Sequence, residues 1–330
     1  MKCCLYARIY NETPYLNFFL EYYFNLGFSK FILLKADNET YNISNKFKND
    51  VTLINIKNLP NEQELEDNSK YIFHSNCDWV FGCDIDEFLI IDKKFTNIQD
   101  FISEKLLINN NINTFYFRWI QIFKLDNNNY NTLKDLLQNY LLFKNENIKS
   151  LVKISSMISM SHPHHFILNE KETIYFENKI LDQRQLIHNY NQLSYKETFI
   201  LHLNVRNINN LFIKYIDSGK NWNIPNYYKF NHQTFDKFLL NNSNKFLTFE
   251  NIIINTGNRC EEIHKTENII NLNLNNYLFY KSNYNLFDIE REKELLYKIN
   301  KFYKNNLTNF YLLLYNVLEI TDKNKNFFKI

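Results

Sequence analysis

The chain has 330 residues, enough to bury a sizeable core as one extended domain or as a domain with an appendage. Lys plus Arg number 38 against 36 Asp plus Glu, a net charge of +2, which lacks the broad basic field of a nucleic-acid protein and favours small or neutral partners. With 30 Phe and 23 Tyr but only 4 Gly and 4 Pro, the composition excludes long flexible linkers and implies a compact body.

Residues 3–9, Cys-Cys-Leu-Tyr-Ala-Arg-Ile, predict a buried strand, and Tyr10-Asn11-Glu12-Thr13-Pro14 a loop that can cap a helix. From Tyr15 to Leu26 the apolar positions Leu16, Phe19, Leu20, Tyr23 and Phe24 recur at helical spacing, and Gly27 suits the stop. Phe31 to Leu34 is a second strand. This βαβ order predicts a parallel sheet that binds ligands at the carboxyl ends of its strands, where Arg8, Asn11, Glu12, Asp37 and Asn38 all fall. Taken alone, those five are equally well ordinary loop polarity.

Val51 to Ile56 is a third strand, and residues 61–76 predict a helix. It leads into Cys77-Asp78-Trp79-Val80-Phe81-Gly82-Cys83-Asp84-Ile85-Asp86-Glu87-Phe88-Leu89, an apolar strand that ends in acid. On a regular strand Asp84 and Asp86 share a face while Ile85 turns into the core, and two hard carboxylates so placed suit Mg²⁺ or Mn²⁺. The plain alternative is a polar turn after a strand.

Ile98 to Leu107 is helical, and Asn113 to Ile122 is a strand on which Thr114, Tyr116, Arg118 and Ile120 alternate with Phe115, Phe117 and Trp119. The Asn-rich residues 126–150 predict a loop with a short helix around Leu133 to Leu142. Lys153 to Met160 then leads into Ser161-His162-Pro163-His164-His165-Phe166. Three imidazoles so close invite zinc, but strand alternation and Pro163 oppose it, and hydrogen-bonding or sugar contact suits one of them better. Glu197 to Leu203 is a strand with His202 near its end; Asn207 can cap a helix with Leu211, Phe212 and Tyr215 on its apolar face and Lys214 elsewhere. Helical periodicity returns over residues 287–317. The five cysteines, at 3, 4, 77, 83 and 260, form no spaced framework. With no signal-peptide pattern and no apolar run near eighteen residues, a soluble cytoplasmic protein without a transmembrane segment is expected.

The block Asp78-Trp79-Val80-Phe81-Gly82-Cys83-Asp84-Ile85-Asp86-Glu87-Phe88-Leu89 resembles the Trp-Val-x-x-x-Asp-x-Asp-Glu-Phe signature of family 92-like glycosyltransferases, which have the GT-A fold. Ala7-Arg8-Ile9-Tyr10-Asn11-Glu12, Asp37-Asn38-Glu39-Thr40, Lys153 to Phe166, and Leu201-His202-Leu203-Asn204-Val205-Arg206-Asn207 with Lys214 and Gly219 resemble further segments of that family, in order. The likeness spans residues 3–222. Leu203, Arg206-Asn207 and Asp217-Ser218 depart from the usual pattern.

The resemblance implies an α/β fold of GT-A, Rossmann-like type, a mixed, mainly parallel sheet flanked by helices over residues 1–225, and the helical periodicity of 287–317 adds the expectation of a mainly helical C-terminal extension over 226–330 packed on it. The resemblance also implies a hexosyltransferase that moves a sugar from a nucleotide-sugar donor, a UDP- or GDP-sugar, to a hydroxyl of a glycan or glycoconjugate acceptor; inversion is the expected course, with retention the open alternative. Mn²⁺ or Mg²⁺ would be held by Asp84, Asp86 and His202, with Asp84 also able to contact ribose. Arg8, Asn11, Glu12, Asp37, Asn38 and Lys214 would line the donor pocket, and Glu87, Trp119, His164 and His165 the acceptor side. An inverting reaction needs a base, for which Asp182, Asp217 and Glu177 are candidates. The rival classes are a catalytically silent sugar-binding domain and a metal-dependent phosphohydrolase.

Overall fold

The computed structural model describes residues 1–10, 12–56, 62–124, 140–162, 164–182 and 198–203, with the backbone alone for 62, 121–124 and 140–146. The expected helix after Asn207, the C-terminal extension, Asn11, Lys214 and Asp217 lie outside these residues.

The entrance follows the sequence pattern. Strand β1 (Cys3–Ile9), helix α1 (Leu16–Asn25) and strand β2 (Phe28–Lys35) form a βαβ unit whose two strands pair in parallel. Gly27 ends the helix at φ 106°, a left-handed conformation that glycine adopts without a Cβ penalty, and β2 starts at the next residue. Strand β3 (Val51–Asn55) pairs outside β2, and β4 (Trp79–Asp84) pairs inside β1, so the order β4-β1-β2-β3 is parallel throughout.

The single helix expected over 61–76 is two pieces, α2 (Glu62–Asn68) and α3 (Lys70–Phe73). Ser69 explains the break: its hydroxyl donates to the Glu66 carbonyl at 2.7 Å, while the Asn68 amide donates to the Glu64 carbonyl at 2.8 Å. Such local side-chain bonds compete with the backbone ladder. After β4 the chain reverses at once into β5 (Glu87–Ile91). Helix α4 (Ile98–Ile108) then opens on Asn97, whose side chain accepts from the Asp100 amide at 2.9 Å.

Strand β6 (Thr114–Lys124) pairs with β7 (Tyr140–Lys153), a long antiparallel ribbon. This corrects the short helix expected to run to Leu142, because Tyr140, Leu141 and Leu142 pair with Lys124, Phe123 and Ile122. Backbone pairing with an already committed strand outweighs a weak helical periodicity. Strands β8 (Met157–His162) and β9 (His165–Leu168) form a separate hairpin. Strands β10 (Ile174–Phe176) and β11 (Lys179–Leu181) are joined through Glu177 and Asn178 at φ 48° and 65°, the two left-handed residues of a tight hairpin turn. Strand β12 (Thr198–His202) pairs with both β5 and β6. The main sheet runs β11-β10-β6-β7-β4-β1-β2-β3, with β5 and β12 off this path. Its β3-to-β4 half is parallel and the rest mixed, a Rossmann-like α/β sheet flanked by helices.

Both faces are covered, which is why β1 and β4 read as unbroken apolar runs. On one face Leu5, Trp79, Phe81, Phe115 and Phe117 join a core with Phe19 and Tyr23 of α1 and Phe101 of α4. On the other, Cys4, Tyr6, Val80 and Val152 meet Leu65 and Ile72 of α2 and α3, and Met160 and Phe166 of the β8–β9 hairpin. Gly82 admits that hairpin: a Cβ there would lie 2.7 Å from the Met160 methyl and 3.3 Å from the Phe166 ring. Strand β5 hangs on α1 by two buried hydroxyls. Tyr22 donates to the Leu89 carbonyl at 2.8 Å, and Tyr23 donates to the Glu87 carbonyl at 2.9 Å while accepting from the Leu89 amide at 3.1 Å.

Tyr23→Phe leaves that amide and carbonyl buried without partners, so it should lower unfolding free energy by about 1–3 kcal/mol in urea titrations. A loss below the error of the fit would show that these bonds do not hold β5.

Candidate functional site

Strand β4 ends at Asp84, and Ile85 and Asp86 form a turn before β5 begins at Glu87. The picture of Asp84 and Asp86 on one face of a continuous strand is therefore corrected. Ile85 does point into the core, but the turn sends the two aspartates to different neighbours.

Asp84 meets cations on both oxygens. Arg8, opposite it in the β1–β4 register, donates to Oδ1 through Nε at 3.1 Å and Nη2 at 2.9 Å. Lys149 of β7 donates to Oδ2 at 2.8 Å. Burial opposes ionisation, but Arg8 and then Lys149 prevail and hold the Asp84 carboxyl well below the usual carboxylate range. For Lys149, too, burial works against the charge while Asp84 and Glu87 more than restore it, so the ammonium is raised overall.

Asp86 lies 3.3 Å from His202 Nε2. Strand β12 delivers that imidazole because His202 is in register with Glu87, and the Leu203 amide donates to the Asp86 carbonyl at 2.7 Å. Asp86, Glu87 and His202 each offer a ligand atom within 4.8 Å of the others, and all three are buried. One oxygen of Glu87, Oε2, accepts from the Asp84 amide at 3.0 Å and pairs with Lys149 at 3.2 Å. Its other oxygen, Oε1, is buried and has no hydrogen-bond partner among the described residues. Burial first, and the neighbouring Asp84 and Asp86 charges after it, push the Glu87 carboxyl up to about 8 against the pull of Lys149. A buried carboxylate with an oxygen within 4.8 Å of ligand atoms of an aspartate and an imidazole is a donor set that fits a divalent cation. Glu87 is thus fully buried at this turn.

Trp119 covers this group. Its ring centroid is 4.3 Å from that of His202, 5.2 Å from that of His164 and 5.7 Å from Lys149 Nζ. Its buried indole Nε1 also has no hydrogen-bond partner among the described residues. His164 Nδ1 lies 2.8 Å from the Ile148 carbonyl, and burial, then Lys149, push its pKa down to about 3. His165 stacks on His162 at 4.8 Å.

The strand-end residues divide. Arg8 joins the acid group, whereas Glu12 and Asp37 belong to a second network at the ends of β1 and β2. There Tyr41 donates to Asp37 at 2.5 Å and accepts from the Glu12 amide at 3.2 Å, and the Glu39 amide donates to Asp37 at 2.9 Å. Asn38 is exposed.

The described base candidates stand apart. Glu177 is paired with Arg118 at 2.8 Å, on the face of β6 opposite Trp119. Asp182 is exposed and paired with Lys171 at 3.2 Å. It follows Leu181, which pairs with Ile174, itself level with Thr114 at the start of β6. Asp182 therefore sits at the opposite end of the sheet from Asp84, four strands away or about 19 Å at ordinary strand spacing.

Sequence reasoning missed Lys149 altogether. A lysine inside Ile148-Lys149-Ser150-Leu151-Val152 was its only signal.

No family model and no curated protein matches the chain. Among solved structures, CMP:2-keto-3-deoxy-manno-octonic acid synthetase complexed with CTP is similar at 7% identity and a TM-score of 0.28, over 57% of this chain and 96% of that one. A TM-score that low carries no argument. What fold and site define is an α/β protein with a buried acid, imidazole and amine group at the carboxyl ends of β4 and β12.

His164 gives a pH test. Its folded pKa of about 3 lies below the value near 6.5 for unfolded histidine, so the unfolded chain binds more protons between these limits. Its contribution is complete above about pH 6.5 and is lost on acidification toward pH 3. Stability of His164→Gln should depend less steeply on pH across that window than the parent, and identical slopes would remove His164 as the cause.

Proposed function

We propose that the chain is a metal-dependent glycosyltransferase of GT-A type, related to the family 92-like enzymes, transferring a sugar from a nucleotide-sugar donor to an acceptor hydroxyl. The observation that carries this reading is the buried trio Asp86, Glu87 and His202, with ligand atoms within 4.8 Å and Glu87 Oε1 lacking a hydrogen-bond partner among the described residues, at the carboxyl end of a parallel strand. Open α/β sheets bind nucleotides at such ends. The sequence pattern around Asp84 and Asp86 supports the same reading.

Asp86, Glu87 and His202 would hold Mn²⁺ or Mg²⁺, which when bound supplies Lewis-acid stabilisation of a leaving nucleoside diphosphate. The chain's own groups add to this. Arg8, about one-third exposed beside Asp84, presents a guanidinium at the rim where a diphosphate can meet it. Trp119 and His164 wall the site with apolar surface, which excludes water and strengthens each charge interaction inside. The ordered network of Glu12, Asp37 and Tyr41 at the ends of β1 and β2 would flank the nucleotide.

The test is nucleotide release from a panel of UDP- and GDP-sugars with Mn²⁺, with and without a glycan acceptor. Asp86→Ala should lose at least about 100-fold in turnover. Absence of turnover with every donor, or an unimpaired Asp86→Ala, defeats the proposal, and release that ignores the acceptor favours a hydrolase. His202→Ala should weaken Mn²⁺ binding at least about tenfold, and unchanged affinity removes His202 from the metal shell.

A further inference from the structure

Lys149 is wholly buried, with Nζ 2.8 Å from Asp84 Oδ2 and 3.2 Å from Glu87 Oε2. Register explains how it arrives there: Lys149 lies opposite Phe117 and so faces Trp119 and the acid turn, while Ile148 and Ser150 face the other side. An isolated ammonium in this position would cost several kcal/mol in desolvation. A cation drawn between two carboxylates on either side of one turn occupies the position a bridging metal would take.

We propose that Lys149 is a fixed cation in the bridging position between Asp84 and Glu87, a positioning residue that keeps Asp84 out of the metal shell and limits the acidic turn to one divalent ion. The inference rests on the metal reading of Asp86, Glu87 and His202 given above. Both Asp84 oxygens already face a cation: Arg8 engages Oδ1 and Lys149 engages Oδ2. Glu87 is divided. Oε2 is committed to Lys149 and to the Asp84 amide, whereas the buried Oε1 has no hydrogen-bond partner among the described residues and is open to a ligand. Lys149 thereby fixes the orientation of both carboxylates before any ligand binds, and a second metal between Asp84 and Glu87 would have to displace it. A two-metal phosphohydrolase would need that second ion.

Mn²⁺ alone is titrated into the full chain, with free Mn²⁺ read by electron paramagnetic resonance, for the native protein, Asp84→Asn, Lys149→Arg and Lys149→Met. Native protein and Lys149→Arg should each bind one equivalent. Asp84→Asn should also bind one, with affinity within about threefold of native because a ligand has not been lost. Lys149→Met should take up a second equivalent. Two equivalents on the native chain, an Asp84→Asn that no longer binds, or a Lys149→Met that binds as native does would each overturn the assignment. Should Lys149→Met fail to fold, the native and Asp84→Asn titrations decide alone. A native chain that binds no Mn²⁺ sinks the metal reading itself, whereas two equivalents sink only the role of Lys149.

Discussion

The carboxyl end of this sheet depends on charges taken out of water together. Lys149 and Glu87 are wholly buried, and Asp84 lies between Lys149 and the half-buried Arg8. Separately each would be driven toward neutrality; together, Lys149 and Asp84 stay ionised because each is the other's solvent. Glu87 is the exception, raised to about 8 because burial and two nearby aspartates outweigh one lysine. A carboxyl in that condition is short of positive charge, and the shortage is what a divalent cation would relieve.

The scaffold exists to keep those groups in place. Tyr22 and Tyr23 tie β5 to α1, the Leu203 amide ties β12 to Asp86, and Arg8 ties β1 to β4. The acidic turn is therefore gripped from β1 and α1 at the start of the chain and from β12, more than a hundred residues after the turn. Aromatic contacts fill the space behind it: Phe88 packs at 5.4 Å on Phe18 and 5.1 Å on Tyr22. The heavy use of Phe and Tyr thus has a mechanical reading, since large rigid rings fix a short β-strand that has little length of its own to hold it.

Much of the first half was legible because its signals are local. Apolar spacing marked α1, Gly27 marked its end, and continuous apolar runs marked β1, β2 and β4. Failures came where a partner decided the outcome. Helical spacing around Leu133 to Leu142 did not reveal that Tyr140 onward pairs with β6, and nothing near Ser69 announced a broken helix except the serine itself. Asp84 and Asp86 were seen as a pair, but the reversal at Ile85 that separates them depends on β5 finding α1 and β12. Asp182 and Glu177 looked available in sequence, and the β10–β11 hairpin carries both away from the acid turn.

By itself, then, the sequence determined the βαβ entrance, the strand ending in Asp84-Ile85-Asp86-Glu87, and the strand carrying His202, since periodicity and turn residues act over a few positions and need no distant partner. Only tertiary structure decided which groups meet. Lys149 reaches Asp84 across 65 residues and His202 reaches Asp86 across 116, and sheet register alone sets such distances. Register is a property of two strands at once, so no single stretch of sequence contains it.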